Sequence, residues 1–526
     1  MADVPLPEWV KEIYPHQATA VQEIVEAFQR VPVVMLDAPT GTGKTLVAEL
    51  VRRELNRKSL YVATDNSLVN QMARDFPYAK VLKGRANYPT EYNSEMTADD
   101  CTSRGPDSPC LWCGDIWSCP YQIAKREALA APLAVTNTAY LLAEANRVGK
   151  FSGRQFIVAD EADTLEGILM GFVEYSISAT RIKDFGMEEP GKGIHKPTLV
   201  TWLNEFNQKV GERFQVETDP KKSRRLKSLM DDTSRVTIEL QREVDKKQAG
   251  ESDGRWIRNY DTRYGGLHLK PVMVDSYGTR QLWRHAKSWL LMSATIISPD
   301  EVANSLGLPL DYEVVSVPMT FPKENRQVIM APVANVVFKE MDKAVPKLVY
   351  AIHKVMEKHP DDRILVHTVS YNLAKKLQDG LRHYPGIGRR RIITYMDGRE
   401  RERILAEYKQ TPGCVMLAPS MDRGIDLPGD LCRVQVIAKV PFLSMGDTQV
   451  SRRIHLPGGE HWYAVQAIRT LVQMTGRAVR HKDDWAICYV FDEQFASNLW
   501  RKHKNLFPKW WISAVNVKTS IREFIQ

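Results

Sequence analysis

Two series of short apolar runs, each about one strand long and followed by helical text, constrain this chain more than any other feature. The first comprises VPVVML (31–36), SLYVAT (59–64), PLAVTN (132–137), FIVAD (156–160) and WLLMSAT (289–295). The second comprises RILVHT (363–368), RIITYM (391–396), CVMLAP (414–419), VQVIAKV (434–440) and WAICYVF (485–491). A strand buried on both faces loses polar alternation, and strands separated by helices return in parallel through crossovers. The pattern predicts an α/β chain with two parallel-sheet lobes, and 526 residues are too many for one core. Two insertions interrupt the first series: residues 85–120, rich in cysteine, and residues 169–262, where strand character gives way to charged helical text. The expected order is a first lobe over 1–84, 121–168 and 263–320, a metal domain over 85–120, a helical insertion over 169–262 and a second lobe over 321–526. No internal repeat of fixed period is evident.

The segment MLDAPTGTGKTLVAEL sets Ala38, Thr40, Gly41, Thr42, Gly43, Lys44 and Thr45 between an apolar strand and a helix, the context of a phosphate-binding loop. Glycines let backbone amides converge on phosphate oxygens, the helix N-terminus adds partial positive charge, and Lys44 reaches the terminal phosphates. Thr45 is then a magnesium ligand. Ala38 stands where the general pattern has its first glycine. A second anchor is FIVADEAD, whose buried strand ends in Asp160 and Glu161 at the carboxyl edge of the sheet. Asp160 suits magnesium, and Glu161 suits the attacking water, because phosphoryl hydrolysis depends on placing that water in line. The plainer reading is an acidic helix start, which its dipole favours in any case.

The run QMTGRAVR supplies Gln473, Arg477 and Arg480, the arginines three apart on one helical face. An arginine reaching the γ-phosphate across an interface accelerates hydrolysis by about 10³–10⁵. Taken alone, the segment reads equally as a solvated basic face. Cys101, Cys110, Cys113 and Cys119 are spaced C-x8-C-x2-C-x5-C, and four thiolates so close suit a 4Fe–4S cluster or a tetrahedral zinc. Trp112 and Trp117 read as packing around that metal. Cys414, Cys432 and Cys488 sit in apolar runs and read as core thiols.

These segments in their order, APTGTGKT, DEAD, SAT (293–295) and QMTGRAVR, resemble superfamily 2 helicases. KGRANYP (83–89), TNTAYLL (136–142), HTVSYNLAKKL (367–377), APSMDRGIDLPGD (418–430) and IAKVPF (437–442) narrow the resemblance to the iron–sulfur helicases of the XPD and DinG type. It covers nearly the whole chain, apart from most of 169–262 and the last thirty or so residues. The resemblance implies two RecA-like lobes, an iron–sulfur domain and a helical arch inserted in the first lobe, ATP and magnesium as cofactors, and 5′ to 3′ movement on single-stranded DNA. It favours iron–sulfur over zinc at the four cysteines. By the same resemblance Gln17 contacts adenine, Ser293 and Thr295 couple the lobes, and Gly424 and Asp426 line the nucleotide and DNA cleft. This sequence departs from the family at Tyr14, where arginine is frequent, and at Thr90, where the first cluster ligand is expected.

Lys83 and Arg85 precede the metal domain and are candidates for nucleic-acid phosphates, whereas KKSRRLK (221–227) reads as a solvated helix face. The net charge of +8 agrees with a polyanionic partner without deciding it. No apolar run approaches the roughly 18 residues of a membrane span, and the start lacks a signal-peptide pattern, so an intracellular soluble protein is expected. A first strand so near Met1 leads us to expect no separate amino-terminal nuclease domain. Single-stranded and forked duplex DNA are the expected partners, with the chain a monomer. The alternatives are an RNA helicase with a structural zinc, prompted by the literal DEAD, and a non-catalytic scaffold switched by nucleotide.

Overall fold

The apolar runs become parallel strands because their residues are enclosed on both faces. The computed structural model describes every residue except 1–4, 92–94, 102–116, 251–253, 260–264, 386–389, 421–426, 428, 477–478, 480–482, 519–522 and 524–526. In chain order the strands are β1 (Val33–Asp37), β2 (Ser59–Ala63), β3 (Lys80–Val81), β4 (Leu133–Asn137), β5 (Arg154–Asp160), β6 (Tyr175–Ile177), β7 (Trp256–Asn259), β8 (Leu267–Pro271), β9 (Ala286–Ser293) and β10 (Tyr312–Ser316). They continue with β11 (Arg326–Ala334), β12 (Ile364–His367), β13 (Ile392–Thr394), β14 (Val415–Ala418), β15 (Val434–Ile437), β16 (Ala486–Asp492) and β17 (Val515–Val517).

The first lobe is a seven-stranded sheet in the order β10-β1-β9-β5-β2-β4-β3, and the second a seven-stranded sheet in the order β13-β14-β12-β15-β16-β11-β17. Val33 and Met35 face one core with Leu60, Val62 and Ile157. Val34 and Leu36 face the other with Tyr61 and Val158, as the period of two requires. Asp37 pairs with Ser293, and Asp160 with Met292. The carboxyl ends of β1, β9 and β5 therefore stop at one level, and the loops that leave them emerge side by side.

Besides the two-residue β3, three strands of the two lobe sheets escaped the sequence reading. The edge strand β10 is half exposed, and β17 spans three residues, so neither presents a continuous apolar run. The third, β11, sits inside the second sheet between β16 and β17.

The helical insertion holds a hairpin of two helices, Lys196–Val216 and Pro220–Gln248, but it stands on an antiparallel sheet in the order β6-β8-β7. Residues 169–262 thus do contain strand, and the expected boundary at 262 cuts through this sheet, whose central strand β8 runs to Pro271. The reason is visible in LHLKP, which alternates buried and half-buried residues. Charged helical text around it masks so short a signal. The Pro220–Gln248 helix also corrects the reading of KKSRRLK as solvated. Lys221 pairs with Asp100, and Arg224 pairs with Asp99 while donating to the Cys101 carbonyl, so the helix start is tied to the cysteine segment.

Candidate active site

The candidate phosphate loop follows β1 and opens the helix Lys44–Glu54. Gly41 and Gly43 adopt φ of +85° and +79°, a left-handed region that side chains resist. At Gly43 a Cβ would also lie 2.3 Å from Gln17 Nε2. Thr42 Oγ1 donates to the Pro39 carbonyl at 2.7 Å, and Lys44 Nζ donates to the Ala38 carbonyl at 3.1 Å. Gln17 Nε2 donates to the Thr42 carbonyl at 3.1 Å, so the helix Pro15–Ala27 braces the loop from outside. Burial pushes the carboxyl of Asp37, just before the loop, up to about 6, against the pull of the Ile296 amide and Lys44.

Asp160 ends β5, and its carboxylate accepts from the Tyr61 hydroxyl at 2.6 Å. That phenol also hydrogen-bonds the Thr45 side chain, so one buried tyrosine joins the two residues read from the sequence as magnesium ligands. Sequence reasoning missed Tyr61, since a tyrosine inside SLYVAT looks like core. Burial raises the Asp160 carboxyl, while the Tyr61 hydrogen bond and the Lys44 charge oppose that shift. The donor set of a hydroxyl and an enclosed carboxylate fits a hard divalent cation. Glu161 lies at φ +49°, ψ +49°, a conformation uncommon for a residue with a side chain. Its carbonyl accepts from Thr164 Oγ1 at 2.7 Å. Held backbone strain of this kind gathers at functional positions.

Asp163, the last residue of DEAD, is a buried hub between the lobes. Its carboxylate accepts from Ser293 Oγ at 2.8 Å and from Gln473 Nε2 at 2.9 Å, while its carbonyl accepts from Arg469 at 2.9 Å. Gln473 Nε2 also donates to Thr295 Oγ1 at 2.9 Å. Thus Ser293, Thr295 and Gln473 do meet, at the edge where β1, β5 and β9 end. The helix Gly459–Thr475 carries Arg469 and Gln473 four residues apart on one face. Arg469 and Asp163 were not singled out from the sequence; the i,i+4 pairing with Gln473 was the available signal. Trp511 Nε1 donates to Thr475 Oγ1 at 2.7 Å and secures the end of this helix. Arg477 and Arg480, which come after it, lie outside the described residues, as do Gly424 and Asp426.

A second contact lies beside the first. Arg453 of the second lobe is 2% exposed, pairs with Glu166, donates to Ser305 Oγ at 2.7 Å and stacks on Trp462 at 4.0 Å. Glu166 also accepts from Gln466 at 3.2 Å and from Trp462 Nε1 at 3.3 Å.

A family of helicase C-terminal domains matches residues 352–514, and the res-subunit family of type III restriction enzymes matches residues 10–166. The ATP-dependent DNA helicase YoaA of Haemophilus influenzae is 22% identical, with 89% of each chain covered. The ATP-dependent DNA helicase DinG of Photobacterium profundum is 23% identical over 57% of this chain and 44% of its own. Among solved structures, an XPD helicase superposes with a TM-score of 0.65 over 97% of this chain and 100% of that one, at 16% identity. The Xpd4 protein of S. tokodaii gives 0.60 over 96% and 100%, also at 16% identity. The chain is similar to helicases of the XPD and DinG type, and the solved structures share its fold.

Two of the four clustered cysteines are described. Cys101 and Cys119 are each 6% exposed and free of any disulfide, and Cys119 packs with Leu82, Ala98 and Tyr121. Cys110, Cys113 and Trp112 lie outside the described residues, and among those that are described no group of ligands is gathered. Trp117 does not pack inward as expected: it is 68% exposed and lies against the Arg126 guanidinium at 4.5 Å. Arg85 sits over the Tyr121 ring at 5.4 Å and donates to the Ala98 carbonyl at 2.9 Å, tying the cysteine segment to the lobe. The Lys83 amide donates to the Tyr88 hydroxyl at 3.0 Å, and its side chain is half-buried. The three remaining cysteines are buried in the second lobe, and burial pushes the Cys414 thiol up to about 11. No helix among the described residues is long and apolar enough to cross a membrane.

Proposed function

We propose that this chain is an ATP-dependent DNA helicase that advances 5′ to 3′ on single-stranded DNA and opens forked duplexes as a monomer. The observation that carries the reading is the convergence of Arg469 and Gln473 of one lobe on Asp163, Ser293 and Thr295 of the other, beside the phosphate loop. In this reading Lys44 and the amides of Thr40 to Thr45 bind the phosphates, Glu161 orients the attacking water, and Arg477 and Arg480 stabilise charge from the second lobe. Magnesium, held by Thr45 and Asp160, supplies charge neutralisation when bound. Asp163 and Gln473 transmit the state of that site to the second lobe. Coupling of this kind turns chemistry into movement.

Stimulation of ATP turnover by single-stranded DNA and by RNA of matched length tests the substrate, and unwinding of forks with opposite tails tests the polarity. DNA stimulation and unwinding from a 5′ tail are expected; stimulation by RNA alone overturns the assignment. The cysteine segment is proposed to hold a 4Fe–4S cluster through Cys101, Cys110, Cys113 and Cys119, since four thiolates also define that site chemically. Protein purified without oxygen is expected to be brown, with iron and acid-labile sulfide in equal amounts. Stoichiometric zinc without sulfide rejects the cluster in favour of the second fit.

A further inference from the structure

One short helix of the second lobe, Thr448–Arg453, touches two different bodies. Its end carries Arg453, which pairs with Glu166 of the first lobe. Its start faces the sheet under the helical insertion instead. Asp447 Oδ2 accepts from Lys270 Nζ on β8 at 2.9 Å, and Gln449 Nε2 donates to the Val272 carbonyl just past that strand at 2.6 Å. Gln449 is 8% exposed and the Lys270 side chain 15%, so solvent screens these bonds weakly. Asp447 is also the N-cap of its helix, accepting from the Gln449 amide at 2.7 Å, which holds its carboxylate in place for the lysine. The ion pair and the amide form a two-point clasp between segments 177 positions apart.

β8 is the central strand of β6-β8-β7, and the helix Pro220–Gln248 is fastened to the strands on either side of it. Tyr175 of β6 hydrogen-bonds Thr233 at 2.7 Å, and the Trp256 amide of β7 donates to Glu243 at 2.7 Å. That helix has 29 residues, a length of about 43 Å, and its far end holds the cysteine segment through Lys221 with Asp100 and Arg224 with Asp99. The clasp thus stands at one end of a continuous, stiff connection whose other end is the segment of Cys101.

We propose that Lys270, Asp447 and Gln449 are positioning residues for strand separation: through them the second lobe carries the insertion and the cysteine segment with it as the lobes open and close. The inference rests on the helicase reading above. None of the three lies in the phosphate loop, the DEAD segment or QMTGRAVR, so hydrolysis proceeds without the clasp and only its conversion into unwinding is lost.

ATP turnover and unwinding of a forked duplex with both tails, measured together on the full chain, give the base pairs opened per ATP. Lys270→Glu sets two carboxylates against each other and is expected to lower that ratio by about 2- to 30-fold, with turnover on single-stranded DNA as in the wild type. Asp447→Asn keeps the helix cap but loses the charge, and is expected to lower the ratio in the same direction. Lys270→Arg keeps the pair and is expected to keep the wild-type ratio. An unchanged ratio in Lys270→Glu and Asp447→Asn overturns the proposal, and so does a parallel fall of turnover and unwinding, which is what a merely structural role produces. A wild type that hydrolyses ATP on single-stranded DNA and opens no fork overturns instead the helicase reading, so the two failures are separable.

Discussion

Replacing Lys44 with alanine is expected to reduce DNA-stimulated ATP turnover by about 10²–10³-fold, the usual consequence of removing one charged donor from a site where charge develops. The ammonium donates to the Ala38 carbonyl and is not part of the apolar cores. Thermal unfolding and DNA binding should therefore change little. Measuring all three separates a chemical defect from a folding one. Turnover at the wild-type rate by a folded Lys44→Ala protein would remove the phosphate loop from the mechanism, and the roles of Asp160 and Glu161 with it.

The second large effect belongs to the lobe contact. Arg453→Ala strands the Glu166 carboxylate in a site where its remaining donors are Gln466 and Trp462. Breaking a buried ion pair from one side typically destabilises by about 3–5 kcal/mol. For lobes of this size that corresponds to a drop of roughly 6–20 °C in the unfolding midpoint. Removing both partners, Arg453→Ala with Glu166→Ala, should recover part of the loss, because no buried charge is then left unpaired. The four proteins of that cycle can be compared by calorimetry. Strictly additive shifts, or an Arg453→Ala midpoint within about 2 °C of the wild type, would show that the pair contributes nothing across the interface.

Both variants act on a single sheet edge. The phosphate loop leaves β1, the DEAD loop leaves β5 and Thr295 follows β9, and their common level comes from the register of Asp37 with Ser293 and Asp160 with Met292. Lobe contact at Asp163 then follows from helix periodicity, which brings Arg469 and Gln473 to the same side of Gly459–Thr475. Asp163, just beyond Asp160 and Glu161, is thereby enclosed by donors from two segments, Ser293 at the end of β9 and the helix Gly459–Thr475.

Legibility in the sequence followed the length of the signal. Continuous apolar runs such as VPVVML and RILVHT announced buried parallel strands, because full enclosure on both faces leaves no room for polar alternation. Gly43 next to Lys44 reads as part of a phosphate loop, and the structure gives Gly43 a φ of +79° with Gln17 in close approach, which only glycine accommodates. Short strands gave no comparable signal: β6, β7 and β8 support the helical insertion with three to five residues each and disappear within charged helical text.

Local sequence thus determined which elements form and where glycine, lysine and carboxylate chemistry is concentrated, since period, chirality and turn strain act over a few residues. What only the tertiary structure decided is which distant groups meet. Tyr61 lies 99 positions from Asp160, Gln473 lies 310 from Asp163 and Arg453 lies 287 from Glu166. Pairings over such separations depend on strand register and on how two folded lobes seat against each other, and no local preference encodes them.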